Sequence, residues 1–178
     1  MAHAQQLNFI GSVNAKFPNH FTKQKVLEIG SYNVNGSVRP FFKDCDYLGI
    51  DVAEGKEVDL VCKGEEFNAE GGSFDVVISC ECLEHNPEWI DTFANMLRLT
   101  RPGGLVIMTC ATVGRAEHGT TRTTPLDSPL TISLGWDYYR NLVVDDFTSN
   151  FDLDANFEEY EFEHEIMNHD LYFWGIKQ

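Results

Sequence analysis

Polar residues interrupt or follow apolar segments at three places in the first half of the chain. Glu28 and Gly30 lie at the end of VLEIG, Asp51 ends YLGID, and Cys80 and Glu81 follow FDVVIS. A carboxylate buried inside an apolar strand, such as that of Glu28, costs several kcal/mol unless it finds a polar partner. Asp51 follows Gly30 by about 20 residues, the spacing of a carboxylate that accepts both ribose hydroxyls of a bound nucleotide. These residue types and spacings indicate a ribose-containing ligand.

The segments that must position these residues are short, apolar and rich in β-branched side chains; they span 26–30, 47–52, 58–62, 74–80 and 104–110. Near-continuous apolar strands of this kind are typical of a parallel sheet covered on both faces. Helical spacing predicts a helix over 88–100, stopped by RPGG, and a short helix-capable piece begins near Ser37. Ligands of such a sheet bind at the carboxyl ends of its strands, where the polar residues lie.

The connection between the second and third strands is short. About five residues separate them, whereas a parallel crossover normally needs a dozen or more. Either 58–62 is a short edge strand without a preceding helix, or this segment is not a strand.

The second half of the chain departs from the strand–helix alternation. Residues 111–135 predict a long loop, which is usually functional. A helix is expected over 136–147, followed by two alternating strands, 156–165 and 171–177, in an antiparallel hairpin. Together these elements predict one α/β domain over 1–178: a Rossmann-like three-layer sandwich with a mostly parallel sheet, a C-terminal antiparallel hairpin and an N-terminal extension over 1–25.

Four motifs in this order resemble the class I S-adenosylmethionine-dependent methyltransferases of the small-molecule type. VLEIGSYNVNG is similar to the cofactor loop of that family, GID to its ribose-binding acid, SFDVVISCECLEH to its fourth-strand motif, and LRLTRPGGLVIM to its helix, turn and fifth strand. The resemblance covers about 25–110 in motif detail and the whole chain in order of elements. It implies S-adenosylmethionine as cofactor and S-adenosylhomocysteine as product.

The resemblance also implies roles for individual residues around the cofactor. Its methionine part would be held by Glu28, Gly30, Ser31 and Gly36, and its ribose by Asp51. Its adenine would lie beside Val52, Gly64 and Glu65, and its sulfonium near Cys80 and Glu81. Two departures from the family pattern stand out. Tyr32 replaces the second glycine of the loop, with Gly36 coming late, and Lys63 stands where the family often has Asp.

The acceptor side is expected in 111–150, because in this topology the segment after the fifth strand covers the methyl-donor end of the cleft. His118, Tyr138 and Arg140 are the candidate catalytic residues, and a purely structural role is an alternative for each. The ordinary pKa of histidine lies near neutrality, which suits His118 as a base. His85 precedes a helix and is expected to cap or pack it.

The implied reaction is methyl transfer to an oxygen or nitrogen atom of a small-molecule or saccharide-like acceptor. The sulfonium is already a strong electrophile, so the protein must chiefly place the nucleophile in line and exclude water. Two alternatives are a non-catalytic S-adenosylmethionine-binding module and an NAD-dependent oxidoreductase. Against the latter, the chain is short for a second nucleotide half and a substrate domain.

Charge and composition restrict the partners. The net charge of −15, from 28 acids against 13 Lys and Arg, opposes nucleic-acid and anionic-membrane surfaces and leaves small molecules as the expected partners. Most of the excess acid lies in 141–178 and is expected to form an outer surface. The five cysteines have no paired spacing, and no apolar stretch suggests a signal or a membrane span, so a cytoplasmic protein is expected. The cluster His164, Glu165, His169 and Asp170 matches no ligand spacing, and no metal site is predicted.

Overall fold

The computed structural model describes residues 3–178, which form one seven-stranded sheet with helices packed on it. The strands are β1 (Lys25–Ile29), β2 (Asp46–Asp51), β3 (Leu60–Val61), β4 (Phe74–Cys80), β5 (Thr100–Ala111), β6 (Phe157–Glu165) and β7 (Asp170–Lys177). The helices are α1 (Ala4–Lys16), α2 (Trp89–Leu99), α3 (Pro129–Ser133), α4 (Val144–Asn150) and α5 (Leu153–Asn156).

The strand order in the sheet is β3-β2-β1-β4-β5-β7-β6. Strands β1 to β5 pair in parallel, whereas β7 is antiparallel to both β5 and β6. Strands β2 and β3 are added on one side of β1, whereas β4 and β5 are added on its other side. The loops that follow β1 and β4 therefore run in opposite directions away from the point where these two strands meet. A crevice at the carboxyl ends of these strands is the usual ligand site of such a sheet. The predicted parallel sheet with a C-terminal antiparallel hairpin is confirmed.

Alternate residues of each strand point to opposite sides of the sheet, so the sheet has two apolar faces, and helices cover both of them. Val26, Val76 and Ile107 pack with Phe9 and Ile10 of α1 on one face. On the other face the strands pack against α2 and α4; the residues include Leu27, Val77, Val106, Phe93, Met96 and Phe147. The predicted three-layer α/β sandwich is therefore confirmed.

The short connection after β2 contains no helix. β3 is reduced to Leu60–Val61, lies at the sheet edge and pairs in parallel with β2. The first of the two sequence alternatives is thus correct, although the strand is shorter than the predicted 58–62. The helix-capable piece near Ser37 forms only a single 3-10 turn, Arg39–Phe41.

The predicted helix over 136–147 is wrong for its first two turns. Residues 136–143 have no helical structure, and α4 begins at Val144. The backbone N–H groups of this segment donate to other elements: Arg140 N to the Glu84 carbonyl and Leu142 N to the Ala111 carbonyl, both at 2.9 Å. These tertiary hydrogen bonds replace the i→i−4 bonds that a helix would need.

The N-terminal extension contains helix α1, which the sequence patterns did not predict. Phe9 stacks on Tyr172 of β7 with ring centroids 4.6 Å apart. Gln6, almost fully buried, donates from Nε2 to Thr109 Oγ1 at 3.0 Å. Helix α1 therefore belongs to the core and brings a polar side chain to the end of the sheet.

All five cysteines are free thiols. Among the helices of residues 3–178, none has both the length and the apolar character needed to cross a bilayer.

Candidate functional site

A cleft opens at the carboxyl ends of β1, β2 and β4, with an empty volume of about 680 Å³ including its solvent-open part. Its walls come from the ends of these strands, the loop after β1, helix α1 and the segment 127–131, which includes the start of α3. The lining residues are Gln6, Glu28, Gly30, Ser31, Tyr32, Val34, Asn35, Gly36, Ser37, Val38, Asp51, Cys80, Glu81, Cys82, His85, Asp127, Ser128, Pro129, Leu130 and Thr131.

Glu28 lies at the floor of the cleft and is 5% exposed. Its Oε2 accepts a hydrogen bond of 2.8 Å from the Tyr47 hydroxyl, which comes from the neighbouring strand β2. Burial raises the pKa of Glu28 to about 8, while the Tyr47 hydrogen bond acts in the opposite direction. A carboxylate held in this way gains free energy from any cation that enters the cleft.

Gly30 starts the loop after β1 with a φ of +81°, a conformation that favours glycine. A Cβ atom there would lie 2.6 Å from Cys82 Sγ, so a side chain at this position has no room. The Gly30 and Ser31 N–H groups both donate to the Ile50 carbonyl, at 2.9 and 3.1 Å. The chain thus turns sharply at Gly30, and both Gly30 and Ser31 line the cleft with their N–H groups already bound.

The remainder of this loop is held by the segment after β2. Asn33 Nδ2 donates to Glu57 Oε1 at 2.8 Å, and Asn33 Oδ1 accepts from Gly36 N at 2.9 Å. Tyr32, which replaces the expected glycine, packs its ring closely over Gly55. The loop is therefore longer than the family pattern predicts, and it is ordered by side-chain contacts in place of closely spaced glycines.

Asp51 ends β2 beside this loop. Its Oδ2 accepts from Tyr32 N at 2.9 Å and its Oδ1 accepts from Val52 N at 2.7 Å. Burial raises the pKa of Asp51, and the two backbone N–H groups act against that rise. Each carboxylate oxygen has a second lone pair, so both can accept one further hydrogen bond from a diol.

The far wall of the cleft follows β4. Glu81 is 7% exposed and adopts a φ of +51° directly after the strand. Burial raises the pKa of Glu81 and also raises the pKa values of the Cys80 and Cys82 thiols. The two thiols therefore stay protonated at neutral pH and are not nucleophiles.

The cofactor-side residues predicted from sequence divide into two groups. Seven line the cleft: Glu28, Gly30, Ser31, Gly36, Asp51, Cys80 and Glu81. Val52, Gly64 and Glu65 lie beyond its lining, near the β2–β3 edge. Glu65 Oε2 accepts from Thr92 Oγ1 at 3.1 Å, and a Cβ at Gly64 would lie 2.7 Å from both Ile29 Cγ2 and Thr92 Cγ2.

None of the three predicted catalytic residues lines the cleft. His118 is buried, 4.9 Å by ring centroids from His85 and from Tyr139. Tyr138 is half-buried, and the exposed Arg140 forms an ion pair with Asp146. The residue that connects His118 to the cleft is His85, which lines the wall.

Sequence reasoning missed several lining positions. It also missed Tyr47, which lies outside the lining but donates to Glu28; here a signal was available, because Tyr47 is a polar residue on the strand next to an interior carboxylate. Gln6 and the segment 127–131 carried none, because their positions follow from long-range packing of α1 and of the loop after β5.

Comparison with known proteins agrees with the methyltransferase resemblance of the sequence motifs. A family model described as methyltransferase domain matches residues 1–165. A comparison with curated proteins finds no match. The fold is similar to that of phosphoethanolamine N-methyltransferase 2 from Haemonchus contortus, solved with phosphomonomethylethanolamine and S-adenosylhomocysteine, with a TM-score of 0.65 and 17% identity over 96% of this chain and 52% of that one.

Two further solved structures share the fold. The 1,6-didemethyltoxoflavin-N1-methyltransferase of Burkholderia thailandensis has a TM-score of 0.65 and 15% identity, over 97% of this chain and 78% of that one. The CurJ carbon methyltransferase has a TM-score of 0.62 and 16% identity, over 94% and 52%. The chain thus spans about half the length of two of these three proteins.

The strand order, the cleft at the carboxyl ends and the family model agree with the four sequence motifs. The chain therefore belongs to the methyltransferase domain family, as its resemblance to the class I S-adenosylmethionine-dependent methyltransferases implied.

Proposed function

We propose that this chain binds S-adenosylmethionine in the cleft and transfers its methyl group to an oxygen or nitrogen atom of a small-molecule or saccharide-like acceptor, releasing S-adenosylhomocysteine. The observation that carries the proposal is the placement of Glu28 and Asp51. They come from adjacent parallel strands and line one cleft, so a single ligand with a cation at one end and a diol further along meets both. S-adenosylmethionine has these two groups in that order.

Asp51 would accept the two ribose hydroxyls. Its oxygens already receive the N–H groups of Tyr32 and Val52, which fix the carboxylate plane before a ligand arrives. Preorganisation of this kind lowers the entropy that binding must offset. We place the adenine beside Val52, with Gly64 and Glu65 at its outer edge.

Glu28 would accept the ammonium group of the methionine part, with Gly30 and Ser31 supplying backbone contacts and Gly36 closing the loop. An incoming cation favours the ionised form of Glu28 and so lowers its pKa from about 8. Binding therefore releases a proton from Glu28 at neutral pH. Cys80 and Glu81 would lie near the sulfonium.

The transfer needs a nucleophile in line with the methyl group at roughly 3 Å and a site that excludes water. We assign contact with the acceptor to His85 and the segment 127–131, because both line the cleft. Ser128 and Thr131 bring hydroxyl groups there, 2.7 Å apart, which suits a polar acceptor. His118 would act behind His85, and Tyr138 and Arg140 would order the covering segment.

Nitrogen as the acceptor atom agrees with two of the structural neighbours, which are N-methyltransferases by name, while CurJ is a carbon methyltransferase. A small acceptor agrees with the limited cleft and with the net charge of −15, which repels polyanions. Five free thiols agree with a reducing, cytoplasmic location.

Isothermal titration of the chain with S-adenosylmethionine and S-adenosylhomocysteine tests the cofactor assignment, with NADH as the comparison ligand. We expect saturable binding of the first two ligands and none of NADH. Absence of heat with both sulfur ligands would reject the proposal. Incubation with methyl-labelled cofactor and a metabolite pool then separates methyl transfer from binding alone, because only transfer moves label into a new small molecule.

A further inference from the structure

A second cluster of chemical groups lies behind the cleft wall. Glu84 and His85 belong to the 3-10 turn that follows β4, and His118 comes from the loop after β5. One ligand atom from each of the three residues lies within 4.8 Å of the other two. All three residues are buried, with Glu84 completely inaccessible to solvent.

Four buried side-chain atoms of this cluster have no hydrogen-bond partner among the described residues: both carboxylate oxygens of Glu84, Nδ1 of His85 and Nε2 of His118. Buried polar atoms are almost always paired, because an unpaired one forfeits its hydration. Because one ligand atom of each residue lies within 4.8 Å of the other two, a single group between them could bind all three side chains.

The hydrogen bond on the far side of His118 shows which ring nitrogen is free to bind that group. Nδ1 of His118 lies 3.1 Å from the Ala116 carbonyl oxygen, which can only accept. The ring therefore carries its proton on Nδ1 and directs the lone pair of Nε2 into the cluster. Metal-binding histidines are oriented in this way by a carbonyl or carboxylate on their second nitrogen.

The local fold serves the same arrangement. Gly119, with a φ of +62°, passes so close to His85 that a Cβ there would lie 2.7 Å from its Cε1. A glycine at this point lets the loop place His118 beside His85. Arg140 N donates to the Glu84 carbonyl at 2.9 Å and fixes the turn from the other side.

In a neighbouring group of similar composition, formed by His3, Glu81 and Asp170, the Asp170 carboxylate is already neutralised, whereas both carboxylate oxygens of Glu81 have no hydrogen-bond partner among the described residues. Asp170 forms ion pairs with His3 at 2.7 Å and with Arg115 at 3.2 Å. Unlike that of Asp170, the Glu84 carboxylate has no ion-pair or hydrogen-bond partner among the described residues.

We propose that Glu84, His85 and His118 bind one divalent first-row transition-metal ion, a site that the sequence analysis did not predict. Two imidazoles and one carboxylate are a ligand set for zinc or iron that leaves coordination positions free. His85 also lines the cleft, so the ion would present a Lewis acid at the wall where the acceptor is expected. The site stands whether or not the cleft binds S-adenosylmethionine.

The test uses the tag-free full chain after dialysis against a chelator. Zn²⁺ alone is titrated calorimetrically, and Co²⁺ alone is titrated by visible absorption, since its d–d bands report coordination by nitrogen and oxygen. We expect one equivalent of each metal, and a melting temperature that rises on Zn²⁺ addition. Glu84→Gln and His118→Asn each remove one ligand and should weaken binding at least tenfold and abolish the melting shift.

Matched controls are Glu163→Gln and His164→Asn, which alter exposed residues of β6 and should bind both metals like the parent chain. Circular dichroism of the metal-free variants checks folding, and if Glu84→Gln unfolds, His118→Asn decides alone. Lack of stoichiometric binding by the parent chain overturns the proposal, and so does unchanged affinity in His118→Asn or an equal loss in the controls. S-adenosylmethionine titration of the metal-free chain tests the proposed function separately.

Discussion

The Tyr47 hydroxyl donates a hydrogen bond of 2.8 Å to Oε2 of Glu28, across the two neighbouring parallel strands β1 and β2. Burial raises the pKa of Tyr47 well above its usual range, so the hydroxyl keeps its proton and stays a donor. A single neutral donor offsets little of the desolvation of a carboxylate. In the absence of a bound cation, an ionised Glu28 therefore destabilises the fold, and a cation in the cleft would remove this cost.

Glu28→Gln should make the empty protein more stable at alkaline pH. The pKa of Glu28 is about 8 in the folded chain and near 4.5 in the unfolded chain, so the folded chain holds an extra proton between these values. The free energy of unfolding therefore falls as pH rises from 4.5 to 8, and above pH 8 Glu28 causes no further decrease. We expect equal melting temperatures near pH 4.5 and an advantage for the variant of at least about 1 kcal/mol at pH 8.5.

The control for this series is Glu161→Gln, an exposed position of β6. Its melting temperature should follow the parent chain at every pH. If Glu28→Gln shows the same pH dependence as the parent, Glu28 is ionised at every pH tested and its ionisation does not destabilise the fold. The same variant should also bind S-adenosylmethionine more weakly, since the cation loses its counter-charge.

Asp51→Ala should weaken S-adenosylmethionine binding by about tenfold or more, because the charge-assisted hydrogen bonds to the ribose are lost and a single such bond contributes roughly 1.5–3 kcal/mol, where about 1.4 kcal/mol corresponds to tenfold. The Tyr32 and Val52 N–H groups would also lose their acceptor. Asp91→Ala, an exposed change on α2, is the control. Calorimetric titration gives both affinities, and equal values would remove Asp51 from the ribose site.

Gly30→Ala and Gly135→Ala separate two effects of adding a methyl group. Both glycines have positive φ, +81° and +85°, so both variants strain the backbone by roughly 1 kcal/mol. Only at Gly30 would the new Cβ meet another atom, Cys82 Sγ at 2.6 Å, whereas Gly135 has open space. Urea unfolding should therefore show Gly30→Ala as the less stable variant by at least about 1 kcal/mol. Equal losses would mean that the Cys82 side moves aside freely.

Phe9→Ala should destabilise the fold by about 3–5 kcal/mol, the range for deleting a buried aromatic ring. Phe9 is 6% exposed and stacks on Tyr172, so the change opens a cavity between α1 and β7. Asn8→Ala, on the exposed side of the same helix, should change stability by less than about 0.5 kcal/mol. Chemical denaturation of both variants measures the difference, and a small effect of Phe9→Ala would mean that α1 adds little to the core.

The parallel strands could be predicted because each carries its information locally. Val26, Val77 and Ile107 sit in continuous apolar runs, and the polar residues that end those runs fall together once the strands are aligned. The cleft-side positions of Glu28 and Asp51 follow from strand polarity alone.

Residues 136–143 and helix α1 could not be predicted for the opposite reason. The aromatic spacing of 136–147 satisfies a helix, yet the N–H groups of Arg140 and Leu142 find carbonyl partners in segments far away in sequence. The first residues lack a strong apolar period, and α1 is defined by packing against β7 at the other end of the chain. The conformation of both segments depends on contacts with residues distant in sequence, which a local sequence pattern cannot show.

The place of β7 in the sheet has a consequence for biosynthesis. β7 lies between β5 and β6, although the ribosome makes it after both of them. Until residues 170–177 have emerged, the outer edge of β5 and the whole of β6 lack their partner, and Phe157 and Phe162 lack the Phe173 ring that each of them contacts. Unpaired strand edges and bare aromatic rings promote aggregation. The nascent chain is therefore prone to aggregate until β7 has emerged, and slow translation after Glu165 would lengthen that interval.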